Sequence, residues 1–137
     1  MSIILVGILL MNTELSEAEY EKHDDYKPQT HDYYIFTSID ADIDEEKTGI
    51  PPDMFTPSTI AAREGDKVRV HFYNMESTDT QEHHTFTIND RAYKIHRDLN
   101  AGENAVIEFT ASKSGVFEYI CTYHQPTMKG TLVVLPS

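Results

Sequence analysis

The sequence predicts an all-β fold, an antiparallel sandwich or barrel, on three observations. Beyond residue 55 the chain runs in short segments in which apolar and polar residues alternate, as with Val68, Val70 and Phe72 in "KVRVHFYN". Turn-forming stretches, "EGD" (64–66), "LNAGEN" (99–104) and "SKSG" (112–115), separate those segments at regular spacing. No segment after residue 30 carries a convincing helical period.

Taken in order, the chain opens on an apolar run from Ile3 to Met11. Nine residues are too few to span a bilayer, which takes ~20. No lysine or arginine precedes the run, so it fits a remnant signal or anchor and an exported protein, periplasmic or at the cell surface, tethered through its N-terminus. A hydrophobic end on a cytosolic protein is the alternative. Residues 12–30 are polar and acidic and fit a tether, which gives a division into 1–30 and a domain of 31–137. "DYYIFTSIDADI" (32–43) has the aromatic and β-branched residues of a strand, and "DEEKTGIPPDM" (44–54) the charge, glycine and prolines of a loop. Strands follow at 58–63, 67–74, 83–89, 92–96, 105–111, 116–122 and 130–135, with a polar loop at 75–82.

The 137 residues suit one domain with a tail, and 25% charged with 39% hydrophobic residues is ordinary for a soluble chain. The net charge of −12 is uneven: residues 1–54 hold 13 acids against 3 bases, whereas residues 55–137 are nearly balanced. Nucleic acid is therefore a poor partner, since phosphate binding needs a lysine- and arginine-rich surface. A single cysteine, Cys121, rules out an internal disulfide and a C-x-x-C redox pair.

Two places carry chemistry. In "HHTFTI" strand parity puts His84 on the face of Phe86 and Ile88, while His83 shares the polar face with Thr85 and Thr87. An imidazole on an apolar face needs a hydrogen-bond partner or a metal for its nitrogens. In "CTYHQPTMKG" Cys121, His124 and Met128 place thiolate, imidazole and thioether in one short loop between two strands, donors that suit copper cycling between Cu(I) and Cu(II). An inert buried thiol beside an exposed His124 is the bland alternative. Zinc fits less well, because structural zinc sites gather several Cys and His and no thioether. A cysteine hydrolase needs a base and an oxyanion pocket that nothing marks. Glu82 is a candidate acceptor beside the histidine pair, His96 a weak candidate near the metal end, and His71 a surface residue. His23 and His31, with Asp24, Asp25 and Asp32, make at most a weak second metal set in a solvated tail.

From about Thr56 to the end the chain resembles the cupredoxins. "PSTIAAREGDKVRV" (57–70) is similar to the family's strand–"GD"–strand entry, "HTFTI" (84–88) to its first-histidine strand, and "GVFEYICTYHQPTMKGTLVV" (115–134) to its closing ligand loop. The resemblance implies a Greek-key β-sandwich and one copper per chain, held by His84, Cys121 and His124 with Met128 as axial candidate. Plastocyanin- and pseudoazurin-like members place four residues between the histidine and the methionine, and amicyanin-like members two. This chain has three, Gln125, Pro126 and Thr127. "AGENAVIEFTASKSGVF" also resembles nitrosocyanin, a red copper cupredoxin with an open coordination position. That protein uses a glutamate where this chain has His84, and a histidine near Met128.

The expected function is one-electron transfer, with His124 as the electron port between Tyr123 and Pro126. The expected partner is a redox protein or membrane oxidase met through a weak, transient contact. The alternatives are a copper enzyme acting on nitric oxide or a related small molecule at an open position, and copper storage or delivery.

Overall fold

A computed structural model describes residues 26–137; the expected signal or anchor, the tether up to residue 25 and His23 lie outside the described residues. Among the described residues, nine strands form two sheets. The first, ordered β2-β1-β4-β7, contains β1 (Thr30–Ile39), β2 (Asp53–Thr56), β4 (Lys67–Tyr73) and β7 (Asn104–Thr110). The second, ordered β3-β9-β8-β5-β6, contains β3 (Thr59–Arg63), β5 (His84–Asn89), β6 (Lys94–Leu99), β8 (Gly115–Ile120) and β9 (Lys129–Leu135). The all-β expectation holds, but the sandwich is mixed and not purely antiparallel. β1 runs parallel to β4, and β3 parallel to β9. The chain leaves the first sheet after β2, lays β3 in the second and returns as β4, and such crossovers permit parallel neighbours.

The expected alternation decides which side of β3, β4 and β9 is buried, whereas β5 is buried on both faces from His84 to Ile88, Thr85 and Thr87 included. Val68, Val70 and Phe72 of β4 face Ile60 and Ala62 of β3 and Leu132 and Val134 of β9 in one apolar core. Phe55, Phe72, Phe86 and Tyr119 form its aromatic centre, with ring centroids 4.8 to 6.3 Å apart. Among the described residues, no helix is long and apolar enough to cross a membrane.

Several boundaries differ from the sequence expectation, β6 running on to Leu99 and β8 ending at Ile120 among them, and three have a local reason. β1 stops at Ile39 because the Asp40 carboxylate and carbonyl accept from Asp42 N and Ile43 N, which closes a turn. The expected loop 44–54 holds one helical turn, α1 (Glu45–Thr48), capped by Asp44 and ended by Gly49 at φ 67°, and then strand β2. β6 begins at Lys94, not 92, because Asp90 N–H donates to Tyr93 O and the Tyr93 hydroxyl donates to Lys113 O.

At the end of the sandwich far from the cysteine loop, Asp66 is fully buried. It accepts from the Tyr26 hydroxyl, from Gln29 N–H and Arg63 N–H at 2.8 Å each, and meets His31 Nε2 at 2.8 Å. His31 of β1 thus reaches the buried Asp66, while His23, Asp24 and Asp25 of the acidic set lie outside the described residues. Burial alone would raise the Asp66 pKa, but these donors together hold it well below the usual carboxylate range.

Candidate metal centre

Cys121 follows β8 directly, and the loop it opens is closed by backbone bonds. Cys121 N–H donates to Met128 O, and Met128 N–H to His124 O, at 3.0 Å each. The Gln125 amide donates to Cys121 O at 2.7 Å and gives Met128 O a second donor at 3.0 Å. Cys121 and Met128 are fully buried, whereas the His124 side chain keeps 19% of its surface exposed.

His84 is the first residue of β5 and comes from the strand next to β8. It is fully buried on the core face, as strand parity predicts. Its Nδ1 lies 3.8 Å from Cys121 Sγ, and His124 Nδ1 lies 3.5 Å from the same sulfur. The two imidazole centroids are 4.6 Å apart. Thr85 N–H donates to the sulfur at 3.3 Å. A metal with bonds of ~2.05 Å to nitrogen and ~2.3 Å to sulfur, opened at ~110–120°, sets N and S about 3.5–3.8 Å apart. The observed separations fit such an ion between the three donors.

The outer nitrogen of His84 supports the same fit. Burial, with His124 adding to it, holds the ring pKa down to about 4 against the pull of Asp53, so the imidazole is a neutral ligand at pH 7. His84 Nε2 is buried without a hydrogen-bond partner. It faces Asp53 Oδ1 at 3.7 Å and Glu76 Oε1 at 3.8 Å, and Asp53 Oδ2 lies 3.9 Å from His124 Nε2. Burial, followed by the neighbouring Glu82 and Asp53 carboxylates, raises the Glu76 pKa.

The remaining candidates separate clearly. His83 is outward and meets Asp98 Oδ1 at 3.1 Å; the exposed Tyr123 hydroxyl donates to Asp98 Oδ2 at 2.7 Å. Pro126 is exposed beside His124. His96 lies in β6 opposite Thr87, with its Nδ1 2.9 Å from the Thr87 hydroxyl, and takes no part in the donor cluster. His71 is only part-exposed, stacked on Tyr34 and bonded to Asp32 Oδ1 at 2.7 Å. Glu82 groups with Asp53, Glu76 and His84. Asp53 and Glu76 were not legible as site residues: one stood in an expected loop and the other in a polar segment, each far in sequence from the cysteine.

No curated protein matches the sequence. Among solved structures, a multicopper oxidase superposes with a TM-score of 0.57 at 22% identity, covering 78% of this chain. This chain spans 42% of that oxidase, and the likeness at such identity concerns the fold. The model of the cupredoxin-like domain matches residues 36–134, the stretch that runs from within β1 through the cysteine loop into β9. The chain belongs to the cupredoxin-like domain family.

Proposed function

We propose that the chain is a mononuclear type 1 copper protein that carries single electrons between redox partners. The observation that carries this reading is the convergence of one buried thiol and two imidazole Nδ1 atoms, at 3.5 and 3.8 Å from the sulfur. Copper, when bound, supplies a one-electron Cu(II)/Cu(I) couple that a thiolate and two imidazoles accommodate in both states.

The chain's own residues do the rest. Cys121, His84 and His124 would hold the ion, with the buried Met128 as a further candidate donor. Thr85 N–H on the sulfur disperses thiolate charge and tunes the potential. His84 is sealed in the core and excludes water from one side. The part-exposed edge of His124, between Tyr123 and Pro126, is the route by which an electron reaches a partner. A redox protein or membrane oxidase docks there through a small, transient interface, in an exported setting.

The test is the absorption and paramagnetic-resonance spectrum of the Cu(II) form. An intense visible thiolate-to-copper band is expected, and Cys121→Ser should abolish it. Persistence of that band in the serine variant overturns the assignment.

One observation favours a second reading. The three residues between His124 and Met128 match neither spacing with which the methionine closes the resembled sites. A position left open on the ion would admit nitric oxide. A Cu(II) spectrum unchanged by nitric oxide, with no product formed, removes this reading and leaves the carrier.

A further inference from the structure

The outer side of His84 is as organised as its inner side. Asp53 opens β2, Glu76 lies in the loop after β4, and Glu82 precedes β5 by two residues. One ligand oxygen from each, together with a His84 nitrogen, falls within 4.8 Å of all the others. Among the described residues, no lysine or arginine forms an ion pair with any of the three carboxylates. Clustered carboxylates without a cation repel one another, and here the fold holds them together.

The agent that holds them is Asn74, 2% exposed at the end of β4. Its side-chain amide donates to Glu82 O at 3.0 Å and to Leu99 O at 3.2 Å, while its Oδ1 accepts from Glu76 N–H at 3.1 Å. One buried side chain therefore fixes the backbone of two of the carboxylates. The third, Asp53, has a side chain only 9% exposed. Into this group points the fully buried His84, whose Nε2 has no hydrogen-bond partner.

We propose that Asp53, Glu76 and Glu82 form a second cation site that shares the His84 imidazole with the copper centre. Three carboxylate oxygens and one imidazole nitrogen suit a divalent first-row ion such as Mn(II) or Zn(II), and lack the soft donors that select copper(I). With copper at Nδ1, the incoming ion takes Nε2 only by releasing its proton to solvent, which would leave His84 as an imidazolate between the two ions and a net gain of one positive charge. A cation there adds positive charge on the far side of a copper ligand, so it disfavours Cu(II) and raises the reduction potential. The site would then couple electron transfer to divalent-ion supply. This inference rests on His84 being a copper ligand.

The experiment titrates the copper-loaded protein with Mn(II) and follows the free-Mn(II) resonance together with the Cu(II) spectrum. The expected result is uptake of one Mn(II) per chain, a changed Cu(II) resonance, and a reduction potential shifted upward. The Glu76→Gln/Glu82→Gln double variant should bind Mn(II) at least tenfold more weakly. Absence of Mn(II) uptake by the native protein at millimolar concentration overturns the proposal and leaves the carboxylates as acceptors for the imidazole proton. Uptake that the double variant retains, or that leaves the Cu(II) resonance unchanged, also overturns it, because the ion is then bound elsewhere. Failure of the copper assignment shows separately, as a missing thiolate band before any Mn(II) is added.

Discussion

Gly130 is the second residue of β9, directly opposite Tyr119 of β8. A methyl group there would lie 2.2 Å from Tyr119 Cζ and 2.4 Å from its Cε2 and hydroxyl oxygen, where ordinary contact begins at 3.4 Å. The ring would have to retreat by about 1 Å to restore contact distance. It has nowhere to go, because Tyr119 is fully buried, stacked on Phe86 at 4.8 Å and edge-on to Phe55 at 5.1 Å. Gly130→Ala should therefore cost about 3 kcal/mol, the upper part of the range for overpacked cores. For a domain of this size that corresponds to a melting temperature lower by about 12 °C. The measurement is thermal and denaturant unfolding of the metal-free protein, since bound metal would add its own stabilisation. The mechanism is isolated by repeating the substitution in a Tyr119→Leu background, where the space exists and the cost should fall below ~1 kcal/mol. Equal costs in the two backgrounds would refute the steric argument, and so would a neutral Gly130→Ala in the native chain.

Asp66→Asn should destabilise the metal-free domain by about 3 kcal/mol at pH 7, because an amide nitrogen would replace an acceptor among converging donors. The Asp66 pKa is lowered on folding, so its contribution is present above the unfolded value of ~3.9 and fades as pH falls below it; the native unfolding midpoint should drop there and the variant's should drop less. A variant as acid-sensitive as the native chain would contradict the clamp. Asn74→Ala should cost about 2 kcal/mol in denaturant unfolding and weaken Mn(II) uptake with it, because it frees the carboxylate-bearing loop. Thr85→Val should cost about 1 kcal/mol by leaving Thr122 N–H without its 2.9 Å acceptor, while Thr85 N–H still reaches the sulfur, so the thiolate band should shift but persist.

What the sequence disclosed, and what it hid, follows from the range of the interactions involved. Alternation at Val68, Val70 and Phe72 is a two-residue property, and so β4 appears almost where expected. The closing loop is equally local: Cys121, His124 and Met128 are tied by backbone bonds spanning at most seven residues. His84 was legible one step further out, because its strand parity places it on the face of Phe86 and Ile88, whereas the burial of Thr85 and Thr87 on the other face was not legible. The parallel pairing of β1 with β4 was not, since direction depends on crossovers between sheets and leaves no mark within a strand. Asp53 and Glu76 were hidden for a similar reason. Each is an acid in a polar, loop-like segment, and only the packing of β2 and of the loop after β4 against β5 turns them toward an imidazole.

The connection between β5 and β8 shows how such a site is kept in register. Their ladder is short, with Thr87 opposite Ile120 as its paired position. Beyond that point Thr85 takes over. Its hydroxyl accepts from Thr122 N–H, and its own N–H donates to Cys121 Sγ, so one residue ties both neighbours of the strand's end across the gap. That arrangement opens a space between His84 and Cys121 wide enough for an ion, yet fixes their separation at 3.8 Å without the ion's help. A donor set held in this way would gain little from rearranging if a bound metal changed its charge. The same rigidity applies behind His84, where Asn74 does for two carboxylates what Thr85 does for the sulfur. An imidazole clamped between two preset groups would transmit a change on one side to the other electrostatically, with no movement of the chain required.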